Sequence, residues 1–194
     1  MEKYLLVVTV VSAVTWGAME LGLIWRDQAR GMGRTYRDQD TRTLIVASIL
    51  AAAVIAGYLA RVAVPHPALG IPGQPWTVLA GLGLVAAGAA IRYLAVAELG
   101  DSFRTTVEVD DDQPVVSTGL YRLIRHPSYA GLLLIAAGFG LTSRTWPGLV
   151  VCAAFPLSAM LQRIHVEETE LVEVIGDPYR AYRTRTKRLV PGLW

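Results

Sequence analysis

The chain has 194 residues, of which 53% are hydrophobic and 18% charged, and its mean hydropathy is +0.41. In soluble domains about a quarter of the residues are charged. The lower charged fraction of this chain, together with its long apolar blocks, therefore indicates a membrane protein. The length fits one domain, residues 1–194. A net charge of only +2 gives no reason to expect a nucleic-acid partner. The single Cys152 excludes an internal disulfide.

Five apolar segments come near the roughly 20 residues that a membrane-spanning helix needs. The first continues through Trp16 and Trp25 without a cleavage pattern, so we interpret it as a retained span rather than a signal peptide. The fourth is short, and Pro127 at its start suits the first turn of a helix. We predict an all-α integral membrane protein with about five transmembrane helices, the last two forming a hairpin. The segments are residues 3–25, 43–64, 76–99, 127–142 and 146–164.

Loop charges predict the orientation of these spans. Residues 26–42 contain five arginines, and the segment after Ile164 is also basic, whereas residues 65–75 contain no lysine or arginine. Positive loops favour the cytoplasm, so five spans place the N-terminus outside and the C-terminus inside. We expect a multi-pass protein surrounded by membrane lipids, in the plasma membrane of a prokaryote.

The segment after the last span alternates apolar residues with glutamates over residues 166–175. This pattern predicts an amphipathic helix that continues out of the membrane or lies at its interface, rather than a sixth span, and Gly176-Asp177-Pro178 should end it. We expect the basic stretch from Arg180 to Arg188 to be solvated, with contact to anionic lipid headgroups as the alternative.

Small residues are frequent in the spans, as around Gly81 and Gly83. Glycine and alanine allow helices in lipid to approach closely. Close packing and ligand binding are both open for this glycine pair.

Two polar clusters bracket the last apolar hairpin, residues 121–131 and residues 163–168. Ionisable groups at a membrane edge are costly to bury, so they indicate a site for a charged ligand. Arg163 and Glu167 are four residues apart and therefore share one helix face. No metal site is expected, because His126, His66 and His165 lack ligand spacing. No phosphate-binding loop is present.

The order of three motifs is informative. They are Arg-His-Pro-x-Tyr-x-Gly at residues 125–131, Glu167-Glu168, and Gly-x-x-Tyr-x-x-Tyr at residues 176–182. This order resembles the isoprenylcysteine carboxyl methyltransferase family and, more loosely, the phospholipid N-methyltransferases. The resemblance covers residues 99–194, the cofactor-binding half, whereas residues 1–98 hold three spans of which the first two carry no matching motif.

The resemblance implies an integral membrane methyltransferase that uses S-adenosylmethionine in a cytosolic pocket closed by the C-terminal segment. A lipophilic or small-molecule methyl acceptor would enter from the bilayer. Tyrosine faces suit the sulfonium cation and arginine suits a carboxylate. By position, the cofactor contacts would be Tyr121, Arg125, His126, Tyr129, Glu168, Tyr179 and Tyr182.

Arg163 and Glu167 would be the catalytic pair that faces the acceptor. A carboxylate acceptor, the first expectation, needs no base, and Arg163 would hold it. An amine or thiol would have to lose a proton to Glu167 or His126. The acceptor and the oligomeric state stay open.

Two alternatives remain. Sterol reductases of similar architecture carry a His-Pro-x-Tyr-like element and use NADPH, but Glu167-Glu168 would repel a phosphate-rich cofactor. In a non-catalytic membrane protein, the same clusters would be structural ion pairs.

Overall fold

The computed structural model describes residues 2–29, 40–63, 66–73, 75–105 and 114–194. These parts contain helices and only isolated bridges of β type, so the predicted all-α class is confirmed. Short 3₁₀ turns at Pro67–Leu69, Gly100–Ser102 and Gly119–Arg122 connect the helices. The helices are α1 (Glu2–Ala29), α2 (Thr41–Ala63), α3 (Trp76–Leu99), α4 (Pro127–Thr142), α5 (Trp146–Val174) and α6 (Asp177–Arg185).

Four helices, α1, α2, α3 and α5, are long and apolar enough to cross a membrane. The predicted multi-pass architecture is therefore confirmed. The fourth predicted span, α4, has 16 residues and a length of about 24 Å, which is less than a bilayer core of about 30 Å. Large apolar side chains on α1 and α2, such as Val14 and Val54, are exposed and suit contact with lipid tails.

Helices α3 and α4 pack through facing glycines. A Cβ atom on Gly88 would lie 2.5 Å from the carbonyl oxygen of Gly131, and one on Gly81 would lie 2.7 Å from that of Gly138. Only glycine permits this separation, so Gly81 serves close helix packing, which is one of the two roles that the sequence left open for it. Gly83 has nothing within 4 Å of a built Cβ, and neither Gly81 nor Gly83 lines the cavity described below.

A tight turn joins α4 to α5, as the sequence predicts. Arg144 adopts a φ of 60°, and the Thr145 side chain caps α5 by accepting the N–H of Gly148 at 3.1 Å. Helix α5 then continues past the predicted end of its apolar run to Val174. Gly176, with a φ of 72°, reverses the chain into α6. The helical hairpin is therefore confirmed, and α5 extends about 15 Å beyond Ile164.

The segment after α6 folds back onto the start of α4. Lys187 forms a parallel bridge with Ile124, and Thr186 and Leu189 are buried. The expectation that the stretch up to Arg188 is solvated is therefore wrong for the buried Thr186 and for Arg188, which pairs with Glu168, whereas Lys187 is exposed. Pairing with the backbone before α4 satisfies their polar groups, a long-range contact that charge pattern alone does not reveal.

Candidate active site

A cavity of about 400 Å³ lies at the α6 end of the helix bundle. Its apolar walls come from α1 and α2, and its polar end comes from the two predicted clusters. Glu168 does not line it. The cavity brings together eight of the nine predicted site residues, Tyr121, Arg125, His126, Tyr129, Arg163, Glu167, Tyr179 and Tyr182.

The predicted catalytic pair is joined through a tyrosine. The Nε of Arg163 donates to the hydroxyl oxygen of Tyr129 at 3.1 Å, and that hydroxyl donates to Oε2 of Glu167 at 2.8 Å. Arg163 is buried, whereas the side chain of Glu167 is 29% exposed. Glu167 is therefore the more accessible group of the pair, and Tyr129 fixes its orientation.

The two terminal guanidinium nitrogens of Arg163 hydrogen-bond to other segments of the chain. Nη1 donates to the hydroxyl of Thr41 at the start of α2, and Nη2 donates to the carbonyl of Thr105, each at 3.0 Å. All three guanidinium nitrogens thus have protein partners. This geometry favours a positioning role for Arg163 over the expected role of holding an acceptor carboxylate.

Glu168 is a buried anion behind the polar end of the cavity. Its carboxylate accepts from Nε of Arg125 at 2.8 Å and from Nη2 of Arg188 at 3.1 Å, and it lies 3.3 Å from Nε2 of His126. Arg183 lies 3.6 Å away. Because its oxygens are engaged by these cations, Glu168 orders the wall of the cavity instead of lining it.

His126 sits between the two glutamates. Its Nδ1 lies 3.9 Å from Oε1 of Glu167, and its ring stacks on Tyr129 with centroids 5.6 Å apart. Its backbone N–H donates to the carbonyl of Arg188 at 3.0 Å. His126 is the residue before α4, so its N–H is not used in the hydrogen bonds of that helix and is available for this contact.

The three remaining tyrosines form a buried aromatic group. The hydroxyl of Tyr182 donates to the carbonyl of Tyr121 at 2.6 Å, and the rings of Tyr179 and Tyr182 are 5.9 Å apart. Burial raises the pKa of Tyr182 to about 12 and raises the pKa of Tyr121 and Tyr179 above the ordinary range. All three phenols therefore stay neutral at physiological pH, and neutral aromatic faces suit a cationic ligand.

Sequence reasoning missed a charged pair within the spans. Arg92 of α3 forms a salt bridge with Glu20 of α1 and donates from Nη1 to the hydroxyl of Ser128 at 2.6 Å. The indole of Trp16 donates to Glu20 at 3.1 Å. All four residues line the cavity. The available signal was an isolated charge inside each of two apolar runs, which is a marker of function in membranes.

Residues 103–105 are also held by the first helix. Asp27 is buried and accepts the backbone N–H of Thr105 at 2.7 Å. Phe103 is buried, with the guanidinium groups of Arg26 and Arg92 at 5.6 and 5.9 Å from its ring centroid. Thus α1, which carries no recognisable motif, supplies anchors for the cavity wall.

Fold and site define a helical multi-pass membrane protein with a polar and aromatic cavity at one end of the bundle. The model of the isoprenylcysteine carboxyl methyltransferase (ICMT) family matches residues 81–173. The resemblance predicted from the motifs is therefore confirmed, and the match begins 18 residues before residue 99, within α3.

Named relatives agree with this family match. A protein-S-isoprenylcysteine O-methyltransferase of Schizosaccharomyces pombe is 30% identical over 112 residues, which are 57% of this chain and 48% of that protein. Enzyme A of the same description from Arabidopsis thaliana is 30% identical over 63% of both chains. A methanethiol S-methyltransferase of Pseudomonas deceptionensis is 35% identical over 74 residues, 38% of this chain and 27% of that one. The chain spans about half the length of the first of these relatives.

The structure of the eukaryotic intramembrane Ras methyltransferase ICMT is similar to this fold. The superposition has a TM-score of 0.60 and 23% sequence identity, and it covers 84% of this chain and 55% of that one. At this identity the similarity establishes the fold alone.

Proposed function

We propose that the protein is a membrane methyltransferase that uses S-adenosylmethionine to methylate a lipophilic or small acceptor, first of all a carboxylate. The observation that carries this proposal is the cavity in which Tyr129 links Arg163 to Glu167 under a group of neutral tyrosines. The family match over residues 81–173 supports the reaction class.

The residues at the polar end fit such a methyl donor. When bound, S-adenosylmethionine supplies a methyl group on a sulfonium cation. The rings of Tyr129, Tyr179 and Tyr182 would surround a cation, and His126 with Tyr121 would complete the wall. A volume of about 400 Å³ lies within the usual range of small-ligand sites.

The hydrogen bond to Glu167 bears on the acceptor. Tyr129 donates a hydrogen bond to Oε2 of Glu167, so that oxygen is already engaged within the protein. A carboxylate acceptor is deprotonated at neutral pH and would need no base from this pair, whereas an amine would have to lose a proton.

Ligand binding tests the proposal. The purified protein in detergent should bind S-adenosylhomocysteine saturably and should not bind NADPH. His126→Ala and Glu168→Ala should weaken that binding, whereas Tyr58→Ala, at an exposed residue of α2, should leave it unchanged. Binding of NADPH alone would support the oxidoreductase alternative instead.

The proposed orientation places the N-terminus outside and the cavity at the cytoplasmic face of a prokaryotic plasma membrane. Exposed aromatic residues lie toward both ends of the helices, as expected at the two membrane interfaces. Tyr58, Trp76 and Trp146 lie toward the end away from the cavity and suit the outer interface, and Trp25 and Tyr93 suit the cytoplasmic one. A tag before Met1 should be reached by an impermeant reagent in intact cells, and one after Trp194 only after lysis. The reverse pattern would exclude this orientation.

A further inference from the structure

Asp27 is a buried carboxylate in the last turn of α1. The helix itself does not favour a negative charge there, because the last turn is the negative end of the helix dipole. Its neighbour Arg26 is 31% exposed and donates to Oδ1 at a distance of 3.4 Å. Oδ2 makes the shorter contact, since it accepts the backbone N–H of Thr105 at 2.7 Å. The place of this carboxylate is therefore explained by residue 105 rather than by its own helix.

Both backbone groups of Thr105 are held by charged side chains from other helices. Its N–H donates to Asp27, and its carbonyl accepts from Nη2 of Arg163 at 3.0 Å. Thr105 lies outside the helices, so no regular pattern of helical hydrogen bonds fixes its carbonyl. Hydrogen bonds that involve an ionised group are stronger than neutral ones. Asp27 therefore helps to determine where Arg163 meets this carbonyl.

Arg163 extends this set of contacts into the cavity. Its Nε donates to the hydroxyl of Tyr129, which donates to Glu167. Asp27 itself does not line the cavity, whereas Thr105, Arg163, Tyr129 and Glu167 all do. Any effect of Asp27 on the polar end of the cavity is therefore transmitted through Thr105 and Arg163.

We propose that Asp27 is a positioning residue for methyl transfer. It holds the backbone of Thr105, and the carbonyl of Thr105 in turn fixes the guanidinium of Arg163. The proposal rests on the proposed methyltransferase function and adds to it a residue from α1, a helix without a matching motif. A displacement of about 1 Å at a reacting centre can lower a rate about 100-fold, so this indirect contact is large enough to matter.

Three variants of the full-length protein in detergent test the role. Asp27→Ala removes the acceptor of the Thr105 N–H, whereas Asp27→Asn keeps a side-chain oxygen that can accept it. Ser12→Ala is the matched control, because Ser12 of the same helix donates only to the backbone of α1 in the described chain. The assay follows methyl transfer from tritiated S-adenosylmethionine to decanoate.

The kcat of Asp27→Ala should fall about 10- to 100-fold, and Asp27→Asn and Ser12→Ala should keep most of the wild-type value. The KM for S-adenosylmethionine should change little, since Asp27 does not line the cavity. An unchanged kcat in Asp27→Ala, or an equal loss in Asp27→Asn, would overturn the proposal. If Asp27→Ala does not fold, Asp27→Glu replaces it, because its longer side chain displaces Thr105 and should lower kcat in the same way.

A double variant distinguishes positioning of Arg163 from general support of the fold. Residues that act as one unit have strongly non-additive effects on kcat. Asp27→Ala should therefore cause little further loss when it is added to Arg163→Gln. Two losses that multiply would show that Asp27 acts independently of Arg163 and would contradict the proposal.

A measurement without turnover separates this proposal from the methyltransferase function. In protein labelled with ¹⁵N-arginine, the Nε–H resonance of Arg163 is the one that Arg163→Gln removes. It should shift or broaden in Asp27→Ala and stay in place in Asp27→Asn and Ser12→Ala. An unmoved resonance in Asp27→Ala would overturn the proposal whatever reaction the protein catalyses. If the resonance moves but wild type neither binds S-adenosylhomocysteine nor transfers a methyl group, the positioning of Arg163 stands and the methyltransferase function fails.

Discussion

Tyr129 lies between Arg163 and Glu167 and hydrogen-bonds to both through one hydroxyl group. The hydroxyl accepts a hydrogen bond from Arg163 and donates one to Glu167. Through Tyr129, the buried arginine therefore fixes the position of the accessible carboxylate. Helix periodicity places Arg163 and Glu167 on one face, but the link between them comes from α4.

Removing this hydroxyl should impair turnover. Tyr129→Phe keeps the ring that stacks on His126 and loses both hydrogen bonds. We expect the kcat of methyl transfer to fall roughly 10- to 100-fold, because two charged partners lose a shared hydrogen bond. S-Adenosylhomocysteine affinity should change much less. Steady-state kinetics with Tyr58→Phe as the exposed control measures this, and an unchanged kcat would contradict the role.

Glu168 should hold the segment after α6 in place. Glu168→Gln preserves the shape of the side chain but removes the negative charge that pairs with Arg125 and Arg188. We expect faster backbone amide exchange over residues 186–189 and weaker binding of S-adenosylhomocysteine. Hydrogen exchange followed by mass spectrometry measures the first effect. Glu170→Gln, two residues further along α5, is the control, and equal protection in both variants would exclude the role.

The close approach of α3 and α4 should be sensitive to a single methyl group. Gly88→Ala would place a Cβ 2.5 Å from the carbonyl oxygen of Gly131, so the helices must separate. We expect a loss of about 1–3 kcal/mol in the free energy of unfolding, as for other overpacked cores. Gly83→Ala in the same helix meets no atom within 4 Å and should be neutral or slightly stabilising. Unfolding in detergent compares the two, and equal stabilities would contradict the packing.

Substitutions of Glu20 and Arg92, which form a salt bridge, should have strongly coupled effects on the free energy of unfolding. Either Glu20→Gln or Arg92→Gln leaves one charge without its partner, and such changes at buried pairs cost about 3–5 kcal/mol. The double variant should be more stable than the sum of the single effects predicts, since no charge is then left unpaired. A double-mutant cycle of unfolding free energies measures this, and strict additivity would show that the pair does not interact.

Much of the site was predictable because its motifs are local. The segment from Tyr121 to Tyr129 and the pair Arg163 and Glu167 are each short enough for sequence to place them on one helix end. The contact of Arg92 with Glu20 was not predictable in this way, since it joins residues 72 apart in the chain on two helices.

The same limit applies to the C-terminal region. The sequence predicted Glu168 as a cofactor contact, which stays a prediction, and Arg188 as a solvated cation, whereas the structure pairs the two side chains behind the wall of the cavity. An ion pair removes both charges from the surface, and sequence pattern alone gives no partner for either. The short α4 was recognised, because helix length follows directly from residue count.

The contacts of Thr186 and Arg188 with the start of α4 have a consequence for biosynthesis. Arg125 donates to the carbonyl of Thr186, and Arg188 reaches Glu168, so residues more than 60 positions after Arg125 complete this part of the cavity wall. A nascent chain whose spans have all been inserted still lacks this part of the wall. The chain should therefore acquire its affinity for ligand late in translation, only after the residues that follow the last span have folded onto the cavity.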